Sequence, residues 1–191
     1  MINILSDNIA GFLISMGIIS DDDRELYSYA AYNIIFKAVP IIVLFILSIC
    51  MDKIIENAII VLVFLSIRKY AGGFHFNKPA ICLFCSSVVM AVLLVLSDCI
   101  YTSVLMHAVL LISVIIIACL SPLDSDKRKL DDTEIKEYKI KAAIVLLVIS
   151  ALYILLCVCH KIIYSNCIFL AIELVLCFQL LEVIKNTRSR R

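Results

Sequence analysis

The sequence predicts an all-α, polytopic membrane protein: a single integral-membrane domain of six transmembrane helices behind an amphipathic N-terminal helix. Three observations predict it. Of 191 residues, 63% are hydrophobic and only 17% charged, against roughly 45–50% and about 25% in soluble domains, and mean hydropathy is +1.08. The apolar residues gather into runs long enough to cross hydrocarbon, and the basic residues fall on alternate connections between those runs. The same composition, with only 4 Gly and 3 Pro, excludes disorder, collagen-like repeats and a water-soluble globule. A net charge of +1 gives no global attraction to nucleic acid, so no such partner is expected.

Residues 1–25 place Ile2, Leu5, Ile9, Phe12, Leu13 and Met16 at helical spacing, with Asn3, Ser6, Asp7 and Asn8 between them. They read either as an amphipathic helix on the inner membrane surface or as a first packing helix of the bundle. Neither a basic segment nor a small-residue cleavage site is present, and Asp21, Asp22 and Asp23 follow, so no removable signal peptide is expected. A span needs about 20 apolar residues to cross about 30 Å of hydrocarbon. Candidates lie near residues 34–50, 54–67, 79–97, 104–120, 142–159 and 162–184. The second is short and carries Glu56, which implies little tilt or a start within the preceding interface. Without water to pair the backbone, each should be helical.

Between the fourth and fifth spans, residues 121–141 carry six basic and six acidic side chains. Asp132–Lys136 and Glu137–Lys141 stand at i,i+4 with the acid first, which predicts a solvated helix running into the fifth span. With a cytoplasmic N-terminus, all of the 17 Lys and Arg except Lys53 and Lys161 fall on the cytoplasmic side. Positive charge stays inside, so both termini are expected in the cytoplasm of a multi-pass cell-membrane protein. Most of the 9 Cys sit within apolar runs and read as packing thiols rather than a disulfide framework.

The informative stretch joins the second and third spans: Arg68-Lys69-Tyr70-Ala71-Gly72-Gly73-Phe74-His75-Phe76-Asn77-Lys78-Pro79-Ala80-Ile81-Cys82. Gly72 and Gly73 permit backbone angles closed to other residues, and Pro79 suits the first turn of a helix. Cys82 then lies one turn in, where unpaired N–H groups, the helix dipole and the charges of Arg68, Lys69 and Lys78 favour a thiolate. A histidine beside it can take the proton and return it to a leaving amine. Continuous helix would hold His75 and Cys82 about 10 Å apart along the axis; the Gly-Gly and Asn-Lys-Pro breaks provide the fold-back a Cys–His pair requires. The same residues also fit a tight interhelical loop with a chance histidine and a packing thiol. Cys82-x-x-Cys85 admits a metal or redox reading too, but Cys157 and Cys159 lie at the opposite face and cannot complete a four-ligand zinc site. No metal or cofactor is expected.

Arg-x-x-Ala-Gly-Gly-x-His, followed by Cys seven residues after the His, resembles the AgrB family, the membrane cysteine endopeptidases of Gram-positive quorum sensing. The resemblance extends to chain length, six spans, the motif's place after the second span and a Pro-containing cytoplasmic loop at Ser121–Arg128. It implies Cys82 as nucleophile and His75 as general base, with Arg68 and Gly73 at positions needed for activity. Phe76 departs from the small residue commoner after the histidine, and Cys85 is an added thiol that reads as packing. The implied reaction cleaves an AgrD-like precursor peptide near its C-terminal end through an acyl-enzyme thioester and promotes closure of a thiolactone or lactone ring, and the implied assembly is a homodimer in the lipid bilayer. Arg68, Lys69 and Lys78, flanking the Gly72-Gly73 turn, are expected to hold the acidic tail of the precursor. A different class, a small non-enzymatic transporter or scaffold, would use Gly72, Gly73 and Pro79 for packing alone. Glu173, deep in the last span, reads as a polar contact inside the bundle or a functional acid; His107 and His160 read as structural or exposed.

Overall fold

The computed structural model describes residues 2–73, 79–100, 103–123 and 131–189. Among them the chain is all-helical. In order it forms α1 (Ile2–Ser15), a single 3-10 turn (Asp21–Asp23), α2 (Arg24–Cys50), α3 (Ile54–Ala71), α4 (Pro79–Cys99), α5 (Val104–Leu120), α6 (Asp132–Val158) and α7 (Ile162–Ser189). The helices stop where the chain changes chemistry. Asp52, with φ +55°, turns α2 into α3, and His160, with φ +57°, turns α6 into α7. Ser103 caps α5 by accepting from the Met106 N–H at 3.3 Å. Gly72 ends α3, its N–H reaching the Arg68 carbonyl at 3.1 Å.

Two helical stretches, Thr133–Val158 and Ile162–Arg188, are long and apolar enough to cross a membrane. Shorter apolar helices cover Ser87–Cys99 and Val104–Leu120. α2 and α6 begin well before their apolar runs, at Arg24 and Asp132. The polar start of α6 is a solvated helix whose Glu137 and Lys141 form an i,i+4 ion pair.

α7 is the hub, packing against α3, α4, α5 and α6, while α2 joins the bundle through α3 and α4 and carries α1 along its flank. Small or slender side chains (Cys167, Ala171, Val175) line the buried face of α7 and let neighbouring backbones approach. Between them, polar residues fasten one neighbour after another. Asn166 donates to the carbonyls of Ser97 and Ile100, each at 2.9 Å, and so holds the end of α4. The Ser113 hydroxyl of α5 donates to Glu173 at 2.7 Å. Near the other end, the Gln179 amide donates to the Ala71 carbonyl at 3.2 Å and to the Ser121 hydroxyl at 3.1 Å. Elsewhere the hydroxyl of the buried Tyr153 meets Nδ1 of the exposed His107 at 2.8 Å.

The interior is mainly apolar, with Ile60, Ile67, Leu94, Ile117, Ile168 and Ile172 fully buried, but polar side chains are buried among them while large apolar ones face outward. Ser48, Asn57, Ser97, Ser113, Asn166 and Gln179 are buried, whereas Leu62, Val92, Leu105, Leu111, Leu147 and Ile154 face outward. Apolar exposure on this scale suits a hydrocarbon surround and not water. α1 shows the same mixture: Ser6 and Ala10 are buried, and Ile4, Leu5, Ile9 and Phe12 are exposed.

Candidate active site

The motif residues gather where α3 ends. Arg68 and Lys69 occupy its last turn. The guanidinium carbon of Arg68 lies 5.2 Å from the Phe64 ring centre and 4.8 Å from that of Phe178. Those rings are themselves tilted together at 5.8 Å. Arg68 is thus a planar cation held between an aromatic of α3 and one of α7, a place that lysine's compact ammonium would fill poorly. Lys69 is exposed, its ammonium 5.3 Å from the Tyr70 ring centre, and Tyr70 meets Tyr138 of α6 at 6.0 Å.

Gly72 and Gly73 carry the chain away from α3 with φ of +74° and +133°. At Gly72 the conformation, φ 74° and ψ −162°, belongs to a region essentially reserved for glycine. Close packing adds a second requirement. A Cβ on Gly72 would stand 2.6 Å from the Leu123 carbonyl oxygen. The reason is a backbone link: the Leu123 N–H donates to the Ala71 carbonyl at 3.1 Å, drawing the segment that follows α5 across the turn. Gly73 lies against α7, where a Cβ would be 3.6 Å from the Phe178 carbonyl carbon and oxygen.

Ala71's carbonyl therefore accepts from both Leu123 and Gln179, and Ser121 passes the network on by donating to the Ile117 carbonyl at 2.6 Å. Three elements (the α3 terminus, the segment after α5 and the Phe178–Gln179 part of α7) thus meet at the Gly-Gly turn. Pro79 opens α4 after residues 74–78, and Cys82 is the fourth residue of that helix. Its backbone stands in the first turn, where amide N–H groups lack helical partners. His75 and Lys78 lie outside the described residues, as do the loop residues 124–130. Of the expected site, Arg68, Lys69, Gly72 and Gly73 are thus brought together.

Sequence reasoning missed Gln179 and Leu123 as supports of the turn and gave Glu182 no role. Glu182 is 3% exposed, one turn beyond Phe178 on α7, and takes the Lys185 ammonium at 3.4 Å on Oε1. The available signal was Gln179 and Glu182 standing three apart within the apolar run of α7. Among the described residues, no group of three or more His, Cys, Asp or Glu is placed to hold a metal ion.

No curated protein and no solved structure matches the chain. A family profile described as Accessory gene regulator B (AgrB) matches residues 6–181, nearly the whole length. The protein belongs to the AgrB family, whose members take part in processing the peptide signal of agr quorum sensing.

Proposed function

We propose that this protein is a membrane-embedded cysteine endopeptidase that cleaves an AgrD-type precursor, with Cys82 as nucleophile and His75 as general base. One observation supports it above the others. The Gly72-Gly73 turn is anchored to Leu123 and α7, and only residues 74–78 separate it from the helix whose first turn carries Cys82. A histidine two residues past a fixed turn and a cysteine at a helix start are the two halves of a thiolate–imidazole pair. A plain interhelical loop has no need of an arginine clamped between two rings or of a glycine-only backbone angle, so packing alone explains less.

His75 takes the proton of Cys82, and the thiolate sulfur attacks the scissile carbonyl carbon. The carbon–nitrogen bond then breaks, and the departing amine receives the proton from the imidazolium. What remains is an acyl-enzyme thioester. Attack by a Cys or Ser side chain of the precursor on that thioester, with its proton passing to the now neutral His75, forms the thiolactone or lactone and returns the thiolate to Cys82. A site at the bilayer surface, with little water, favours ring closure over hydrolysis. Arg68, Lys69 and Lys78 supply positive charge for the acidic tail of the precursor.

The topology that serves this chemistry has six spans, α2 to α7, with α1 on the inner surface, both termini cytoplasmic and the motif beneath the inner leaflet. The active form is a homodimer in the lipid bilayer. Co-expression with a candidate precursor tests the assignment. Cys82→Ala and His75→Ala should each lower processing by at least about 10³-fold, with protein levels in the membrane unchanged. Processing retained in either variant would refute the pair.

A further inference from the structure

The seam between α3 and α6 carries a patch for which the peptidase chemistry has no use. Where α3 ends and α6 begins, the Tyr70 and Tyr138 rings meet at 6.0 Å, tilted by 57°. Because the end of one helix meets the start of the other, the two run antiparallel. With the tyrosines facing each other, right-handed winding turns the residue before Tyr70 and the residue three after Tyr138 to the same side of the seam. Those residues are Lys69 and Lys141, and both are exposed. Lys141 joins Glu137 in an ion pair that raises the pKa of its ammonium, and both phenols are close enough to add to the effect.

The patch has the shape of an amphiphile. Its lysines stand where hydrocarbon begins: Lys141 directly precedes the apolar run of α6, and Lys69 lies in the last turn of α3. Behind each lysine runs an apolar track. Leu62 stands seven residues before Lys69 and Val148 seven after Lys141, so each lies two turns, about 10 Å, deeper on the same helix face. Leu152 and Leu155 continue the α6 track, and all four are exposed. The charge is unbalanced by one. Lys69 pairs with no carboxylate among the described residues, so two ammoniums face the single Glu137 carboxylate. Glu134, one turn further from the bilayer, accepts from the Asp131 N–H at 3.4 Å.

We propose that the α3–α6 seam binds one anionic diacyl phospholipid, its phosphodiester held by the ammoniums of Lys69 and Lys141 and the phenol hydroxyls of Tyr70 and Tyr138, and its acyl chains lying along Leu62 and Val148. A phosphodiester carrying an uncharged alcohol, as in phosphatidylglycerol, brings the single negative charge that the patch lacks. A choline headgroup brings its own cation and sets it beside the lysines. The inference goes beyond the peptidase reading and does not depend on it.

Native mass spectrometry of the full-length protein, released from micelles that hold dioleoyl phosphatidylglycerol and dioleoyl phosphatidylcholine in equal amounts, reads the retained lipid without a precursor. The wild type should keep one phosphatidylglycerol in preference to phosphatidylcholine. Lys69→Gln and Lys141→Gln should each lower that retention about fivefold, whereas Lys141→Arg should preserve it and Glu137→Gln should raise it. Lys161→Gln, exposed at the opposite end of α6, should change nothing. An excess of glycerol phosphate, a headgroup without chains, should leave the lipid in place. Equal retention of the two lipids, or unchanged retention in the variant carrying both Lys69→Gln and Lys141→Gln, would overturn the site. An equal loss from Lys161→Gln would also overturn it, since the preference would then follow total charge. Displacement by glycerol phosphate would leave a phosphate site and no lipid site.

Discussion

Gly72 shows how much one missing methyl group carries. Its φ of +74° alone would cost another residue about 1–3 kcal/mol, and a Cβ would also meet the Leu123 oxygen at 2.6 Å. The link from Leu123 to Ala71 would then have to open, loosening the platform from which the chain departs toward His75. Gly72→Ala should therefore abolish most precursor processing and lower the thermal midpoint in detergent by several degrees. Gly11→Ala, where nothing lies within 4 Å, should leave both unchanged. Comparable melting of the two variants would show the turn to be looser than described. The glycine pair was legible in the sequence as a turn. Its partners were not, because Gln179 and Ala71 are 108 residues apart and only the packing of α7 against α3 brings them together. Arg68 was legible as positive charge, but its clamp between Phe64 and Phe178 joins two helices and leaves no local mark.

Helix starts at Ile54, Pro79, Val104 and Ile162 coincide with the starts of apolar runs, since turn residues or caps stand just before them. α2 and α6 instead begin about ten residues ahead of theirs. Hydropathy registers what hydrocarbon tolerates and not where the backbone leaves a helix, and Arg24–Asn33 and Asp132–Lys141 are good helix formers outside any apolar run. Polar residues in α7 were visible individually, Glu173 most of all. That Asn166, Glu173 and Gln179 fasten α4, α5 and α3 in turn depends on one face of the helix meeting three neighbours. In the proposed up-and-down order, Cys159, exposed after α6, faces outside and Cys119, exposed near the end of α5, lies at the inner end. A membrane-impermeant maleimide added to intact cells should label Cys159 and spare Cys119, and permeabilisation should admit reagent to Cys119. The reverse pattern would invert the topology.

At the scale of the molecule, exposed leucines and isoleucines surround an interior in which serines, asparagines and a glutamine are buried among isoleucines, leucines and alanines. Composition alone announced the class, because 63% hydrophobic residues exceed what a single core of this size can bury. Membership of the AgrB family adds the context of a peptide signal made at the membrane, and the anchored turn beside the start of α4 supplies a place for the chemistry. The proposed chemistry comes down to a sulfur–acyl bond. Purified protein in lipid vesicles, mixed with a candidate precursor and quenched with acid within seconds, should yield a Cys82-containing peptide heavier by the N-terminal fragment of the precursor, together with the free C-terminal tail. Cys82→Ala should yield neither. Release of the same tail by Cys82→Ala, or an adduct that maps to another cysteine, would contradict the account.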